Sequence, residues 1–246
     1  MPPSRAVSLG LFAVVAVSLA SGCQMASSGL NAQGTRHYLQ GNHMAAVQRF
    51  HEAMQTDPAN PDSYYNLGAT YHQLAKVQSN DSYYDQAENF YNQCLDRAEL
   101  LNKEHVDCYR SLAVLLVERD RNDEAFRLLR GWTERSPLSA DAKVELARLH
   151  HEFGDQVGEE EQLLAAVEVD TFNARARTAL GRLREAQGDY AQALANYNHS
   201  LQSNHVQPAV AARVTALRSA AVSDPLSPVP ATPTRVVNTP TLLPLQ

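Results

Sequence analysis

The sequence is short of the patterns that mark chemistry. It holds no Gly-x-Ser-x-Gly elbow, no Cys-x-x-Cys pair and no glycine-rich phosphate loop. The usual settings for a nucleophilic serine, a dithiol centre and a nucleotide phosphate are therefore missing. Nine histidines occur, but none forms His-Glu-x-x-His. In His150-His151-Glu152 the adjacent imidazoles would point about 100° apart around a helix, which is wrong for two ligands on one face. These absences predict a protein that is not an enzyme, with no cofactor and no metal. Basic charge is scarce as well: 21 Lys and Arg stand against 27 Asp and Glu, a net charge of -6. Nucleic acid and polybasic membrane attachment both need clustered cations, so neither is expected. The apolar run from Ala6 to Ala20 is also too short for a membrane span, which needs about 20 residues.

What is present is a largely globular composition, 44% hydrophobic and 20% charged over 246 residues, enough for one or two domains. At the start, Arg5 precedes the apolar run, and small residues lead into Cys23 as Leu19-Ala20-Ser21-Gly22-Cys23. Charge, short apolar core and small residues in that order read as an export signal. The ending resembles the lipobox of bacterial lipoproteins. That resemblance implies a signal peptide over 1–22, acyl chains on Cys23 and a short linker over 23–26. Two or three chains, at about 0.8 kcal/mol per buried CH₂, would hold the protein stably on a membrane. Gln24 after the cysteine resembles lipoproteins sorted to the outer membrane. The implied location is the bacterial cell envelope, lipid-anchored and facing the periplasm, with the outer membrane favoured.

The body of the chain is periodic. From Gly41 and again from Gly188 a small residue follows after five positions, an aromatic after four more and a small residue after three more: Ala46, Phe50, Ala53 and Ala193, Tyr197, Ser200. Between them, Tyr64, Leu67, Gly68 and Tyr71 lead to Ala87, Tyr91 and Cys94, and Tyr109, Leu112 and Ala113 lead to Ala125, Leu129, Trp132 and Pro137. The small position of the second helix falls at 46, 87, 125, 159 and 193, with steps of 41, 38, 34 and 34. This pattern resembles the tetratricopeptide repeat. The resemblance implies an all-α, right-handed α-solenoid of about five helix pairs over 27–207 (27–60, 61–101, 106–139, 140–173, 174–207). A capping helix is expected over 208–222, since an end repeat needs its face covered. The proline-rich stretch 223–246 is expected to be a disordered tail. The step of 41 predicts extra residues in a turn at Lys76 to Tyr83, and the step of 38 predicts about four at Leu101 to His105. Glu159 and Trp132 depart from the small residues expected at their positions.

A helix-pair array implies binding of a protein or peptide partner along a groove lined by first helices. The groove positions select Tyr38, Tyr65, His72, Arg110, Arg148, Arg175 and Arg182. Four arginines in an acidic chain suit a segment bearing carboxylates, because the guanidinium offers a planar donor fork. Internal pairing with Asp107, Asp141 and Glu185 is the competing use of those arginines. Cys94 and Cys108 flank one helix connection, either as two buried thiols at packing positions or as a disulfide. The functional expectation is a membrane-anchored interaction scaffold or adaptor. A pilotin-like assembly lipoprotein for type IV pili or another envelope complex is the alternative, and a cell-wall processing enzyme a more distant one.

Overall fold

The computed structural model describes residues 24–223. The expectations for residues 1–23, the lipidated Cys23 among them, and for the tail beyond Ser223 lie outside the described residues. Among the described residues there are eleven helices and no strand. They are α1 (24–39), α2 (His43–Thr56), α3 (Pro61–Gln78), α4 (Asp81–Leu100), α5 (Val106–Glu118), α6 (Asn122–Arg135), α7 (Ala140–Glu152), α8 (Gln156–Val169), α9 (Ala174–Ala186), α10 (Tyr190–Ser203) and α11 (Pro208–Ser223). Helix α1 takes up residues 24–26, which the sequence reading assigns to a linker. No helix among the described residues is long and apolar enough to cross a membrane. The chain divides into two compact units between Arg121 and Asn122. The division falls inside the third repeat, between α5 and α6.

In the first unit each helix pair closes on a glycine. A Cβ built on Gly68 of α3 would stand 2.6 Å from Cδ1 of Tyr91 on α4, and one on Gly34 of α1 would overlap the ring of Phe50 on α2. Ring thus meets backbone, which is why only glycine fits. The structure thus seats these rings on the first helix of their own repeat. Ala46 and Ala87, the small partners on the second helices, are fully buried.

The extra residues of repeat two are helix, not loop, which corrects the turn expected at Lys76 to Tyr83. Helices α3 and α4 run to 18 and 20 residues, where α7 and α8 have 13 and 14. Only Ser79 and Asn80 connect them, with Ser79 in the left-handed region at φ 50°. Gly34 precedes Phe50 by 16 residues and Gly68 precedes Tyr91 by 23. The added seven amount to about two helical turns, so lengthening both arms of the hairpin keeps glycine and ring face to face. Most of the four residues expected at Leu101 to His105 likewise extend α4, which reaches Leu100.

In the second unit Gly181 of α9 repeats the arrangement, its Cβ position 2.5 Å from Tyr197 of α10. The hairpin turns α7–α8 and α9–α10 are made by Gly154 at φ 73° and Gly188 at φ 80°, conformations that a Cβ resists. Ser139, Asp155, Asn173 and Asp189 each accept a backbone N–H of the helix they precede. Phe126 of α6 packs edge-on against His150 and tilted against Phe153 at the end of α7. Glu159 is buried and sits 2.9 Å from Nδ1 of His151, so its carboxylate is partnered where a small residue was expected. Helix α11 covers the end: Val210, Val214 and Leu217 bury themselves against Ala193 and Tyr197. On this helix Val210 is buried while its neighbour Ala211 is exposed.

Candidate functional site

The second unit carries the arginine face. Arg175 and Arg182 lie seven residues apart on α9, as Asp141 and Arg148 do on α7, so each pair shares one helix face. The two faces meet at Glu145, whose side chain is completely buried. Nε of Arg148 lies 3.2 Å from Glu145, and Arg175 reaches Glu145 from α9 while holding Asp141 at 3.0 Å. Arg148 also pairs with Glu152 at 3.2 Å. A buried carboxylate between two guanidiniums is how desolvated charge is normally balanced. Two of the three arginines here therefore already serve the fold. Arg182 is exposed and joins no ion pair among the described residues. Glu185, its expected partner, is instead bound by Nε of Arg213 at 2.9 Å and by the hydroxyl of Tyr197 at 3.0 Å. Burial pushes Tyr197 up to about 12, with Arg182 drawing it down slightly, so the hydroxyl stays a donor at neutral pH.

In the first unit the aromatic and histidine candidates are interior. Tyr65 is 1% exposed, stacked obliquely near Tyr91 and His105, and burial raises its ionisation well above the ordinary tyrosine range. His72 is fully buried; its Nε2 lies 2.8 Å from Glu118 and its Nδ1 3.4 Å from the Tyr91 hydroxyl. Glu118 also takes Lys76 at 2.7 Å. Burial pushes Glu118 up, but the hydrogen bonds from His72 and Lys76 outweigh it and leave its carboxyl below the usual range. Tyr65 and His72 thus hold α3 to its neighbours rather than line a groove. Tyr38 is half-buried against His43, and Arg110 is bound to Asp107 at 2.7 Å.

One cluster went unread in the sequence. Cys94 of α4 and Cys108 of α5 are buried free thiols, and His105, at the end of the connection between their helices, joins them. The sulfurs and a His105 ring nitrogen all lie within 4.8 Å of one another. His105 caps α5, its Nδ1 accepting the N–H of Cys108 at 3.2 Å, while Asp62 at the start of α3 comes within 3.3 Å of Nε2. Burial opposes charge on Cys94, but hydrogen bonds from Cys108 and His105 outweigh it and lower the thiol. Burial pushes Cys108 up. Burial disfavours charge on His105 too, yet Asp62 and Cys94 push it up to about 10. The spacing between Cys94 and Cys108 was visible; the role of His105 was not, because its residue type marks no repeat position.

The architecture is an all-α helical repeat fold of tetratricopeptide type. The TPR repeat family model matches residues 34–74, which hold the end of α1, α2 and most of α3. Among solved structures the chain is similar to a thermophilic TPR protein of Thermus thermophilus, at 20% identity and a TM-score of 0.57, covering 79% of this chain and 100% of that one. It is also similar to pilF of Pseudomonas aeruginosa, at 16% identity and a TM-score of 0.54, covering 82% of this chain and 90% of that one. At these identities the likeness is one of fold. No curated protein matches the chain.

Proposed function

We propose that this chain is an interaction scaffold, held on a membrane through Cys23, whose second unit binds a protein segment bearing carboxylates. The observation that carries the reading is Arg182: an exposed guanidinium on the same helix face as Arg175, which is itself 41% exposed, in a protein of net negative charge. A guanidinium row offers bidentate geometry to carboxylates that an ammonium would not. The lipobox-like sequence before Cys23 supports the anchor, and the tetratricopeptide-type fold supports partner binding.

The test compares crosslinked partners captured from membranes by the native chain, by Arg182→Glu and by Arg127→Glu. Arg127 is an exposed residue of α6 and serves as the charge control. Loss of a captured protein with Arg182→Glu alone is expected; equal capture by all three overturns the arginine face. A Cys23→Ser chain in the same experiment is expected in the soluble fraction, and its retention on membranes overturns the anchor. A narrower version of this reading, resting on the lipobox-like anchor together with the helix-pair array, is an assembly lipoprotein of pilotin type, for which the captured partner would be a component of a pilus or similar envelope complex.

A further inference from the structure

The Cys94, His105 and Cys108 cluster belongs to the first unit, whereas the arginine face proposed above belongs to the second. We propose that it is a site for one divalent metal ion of the zinc class, held by both cysteine sulfurs and a ring nitrogen of His105, with Asp62 as the carboxylate that positions the imidazole. Two thiolates and an imidazole form the donor set that zinc prefers, and hard cations such as magnesium do not. Zinc–sulfur and zinc–nitrogen bonds of about 2.3 and 2.0 Å place tetrahedral donors about 3.6–3.8 Å apart. The three donors already lie within 4.8 Å of one another, so closing on an ion takes side-chain movement of about 1 Å and no rearrangement of helices.

The surroundings suit the purpose. Cys94 and Cys108 are 0% exposed and His105 is 8% exposed, so the donors are fixed by packing and shielded from competing solvent. Asp62, at 3.3 Å from Nε2, occupies the place of the carboxylate that commonly orients a metal-bound histidine. The ion replaces two long contacts of Cys108: its N–H on Nδ1 of His105 at 3.2 Å, and its thiol on the carbonyl of Tyr91 at 3.4 Å. His105 precedes α5 and Cys108 follows three residues later in its first turn, while Cys94 comes from α4. An ion there would clip α4 to α5 across their connection. Binding displaces to solvent the protons on the cysteine sulfurs and on the His105 ring nitrogen that takes the ion, and the fourth tetrahedral position falls to a solvent molecule.

The experiment uses the full chain carrying Cys23→Ser, which removes the third thiol, reduced and stripped of metal, and titrated with cobalt(II) and then zinc. The expected result is a thiolate-to-cobalt charge-transfer band and tetrahedral ligand-field bands that saturate at one equivalent and vanish on adding one equivalent of zinc. The melting temperature should rise with zinc and fall again with chelator, as for any ligand that binds only the folded state. Cys94→Ser and Cys108→Ser should each lose the tetrahedral dithiolate spectrum, with circular dichroism reporting whether the variant is folded. Asp62→Asn should keep the cobalt spectrum while zinc affinity falls about 10- to 100-fold, the signature of a positioning residue. A folded, reduced chain that shows no charge-transfer band at one equivalent overturns the proposal. So does a chain that closes a Cys94–Cys108 disulfide on oxidation but takes no cobalt when reduced.

Discussion

At Gly68 and Gly181 an aromatic ring lies on the helix backbone, and the next atom added would have to displace it. Tyr91 is fully buried and Tyr197 is 2% exposed, so neither ring has room to withdraw. Gly68→Ala and Gly181→Ala are each expected to cost about 1–3 kcal/mol, the usual penalty for overpacking a closed core. Gly29 offers the control: it is an exposed residue of α1 whose Cβ position meets nothing within 4 Å. There the change to alanine should be neutral or stabilising by up to about 1 kcal/mol, from helix propensity alone. Chemical denaturation of the three variants checks this, and equal effects at all three would refute the ring-on-glycine account. The same scale explains the arginines. Their sequence positions placed all four on one kind of face, but the carboxylates nearby decide which of them is left for a partner.

Between elements, the clasp of His72 and Lys76 on Glu118 ties α3 to α5, bridging positions 46 and 42 residues apart. Glu118 is a carboxyl held below its ordinary value of 4.5 in the folded chain. The unfolded chain therefore binds more protons in the acid range. The stability Glu118 contributes is present above about pH 4.5 and is lost as pH falls through the lower folded value. Glu118→Gln keeps an acceptor but not the charge, so near neutrality it should cost about 1 kcal/mol. Melting temperatures taken from pH 7 down to 3 should show the gap between native and variant closing with acid. A gap that stays constant, or widens, would refute the clasp as a charge-dependent contact. The lengthened hairpin belongs to this scale too: the period in the sequence showed that seven residues were added, but whether they looped out or coiled depended on α3 and α4 having each other to pack against.

For the whole molecule, a repeat array is limited by its ends, because each helix pair leaves an apolar face for a neighbour. At the C-terminal end α11 supplies that neighbour through Val210, Val214 and Leu217. Leu217 is 2% exposed, and Leu217→Ala should cost about 2 kcal/mol, the low end for a buried leucine because the site lies at the edge of the array. The accompanying sign is increased binding of a hydrophobic dye as the Ala193 and Tyr197 surface opens. An unchanged melting temperature would show that α11 caps nothing. The boundary between Arg121 and Asn122 also belongs to this scale; it splits the third repeat, and nothing in the periodicity announces it.

The sequence by itself determined the helices and their order, because those rest on local chemistry repeated at a fixed period: glycine opposite an aromatic, small residues where helices cross, Asn, Asp or Ser before a helix start. Tertiary structure alone decided which polar groups meet. Glu145 between two arginines, Glu185 taken by Arg213 instead of Arg182, and His105 drawn in beside Cys94, Cys108 and Asp62 all depend on contacts that join different helices. A period specifies the face on which a side chain lies. It does not specify the charge waiting on the helix that packs there, and the candidate sites of this protein are made of those encounters.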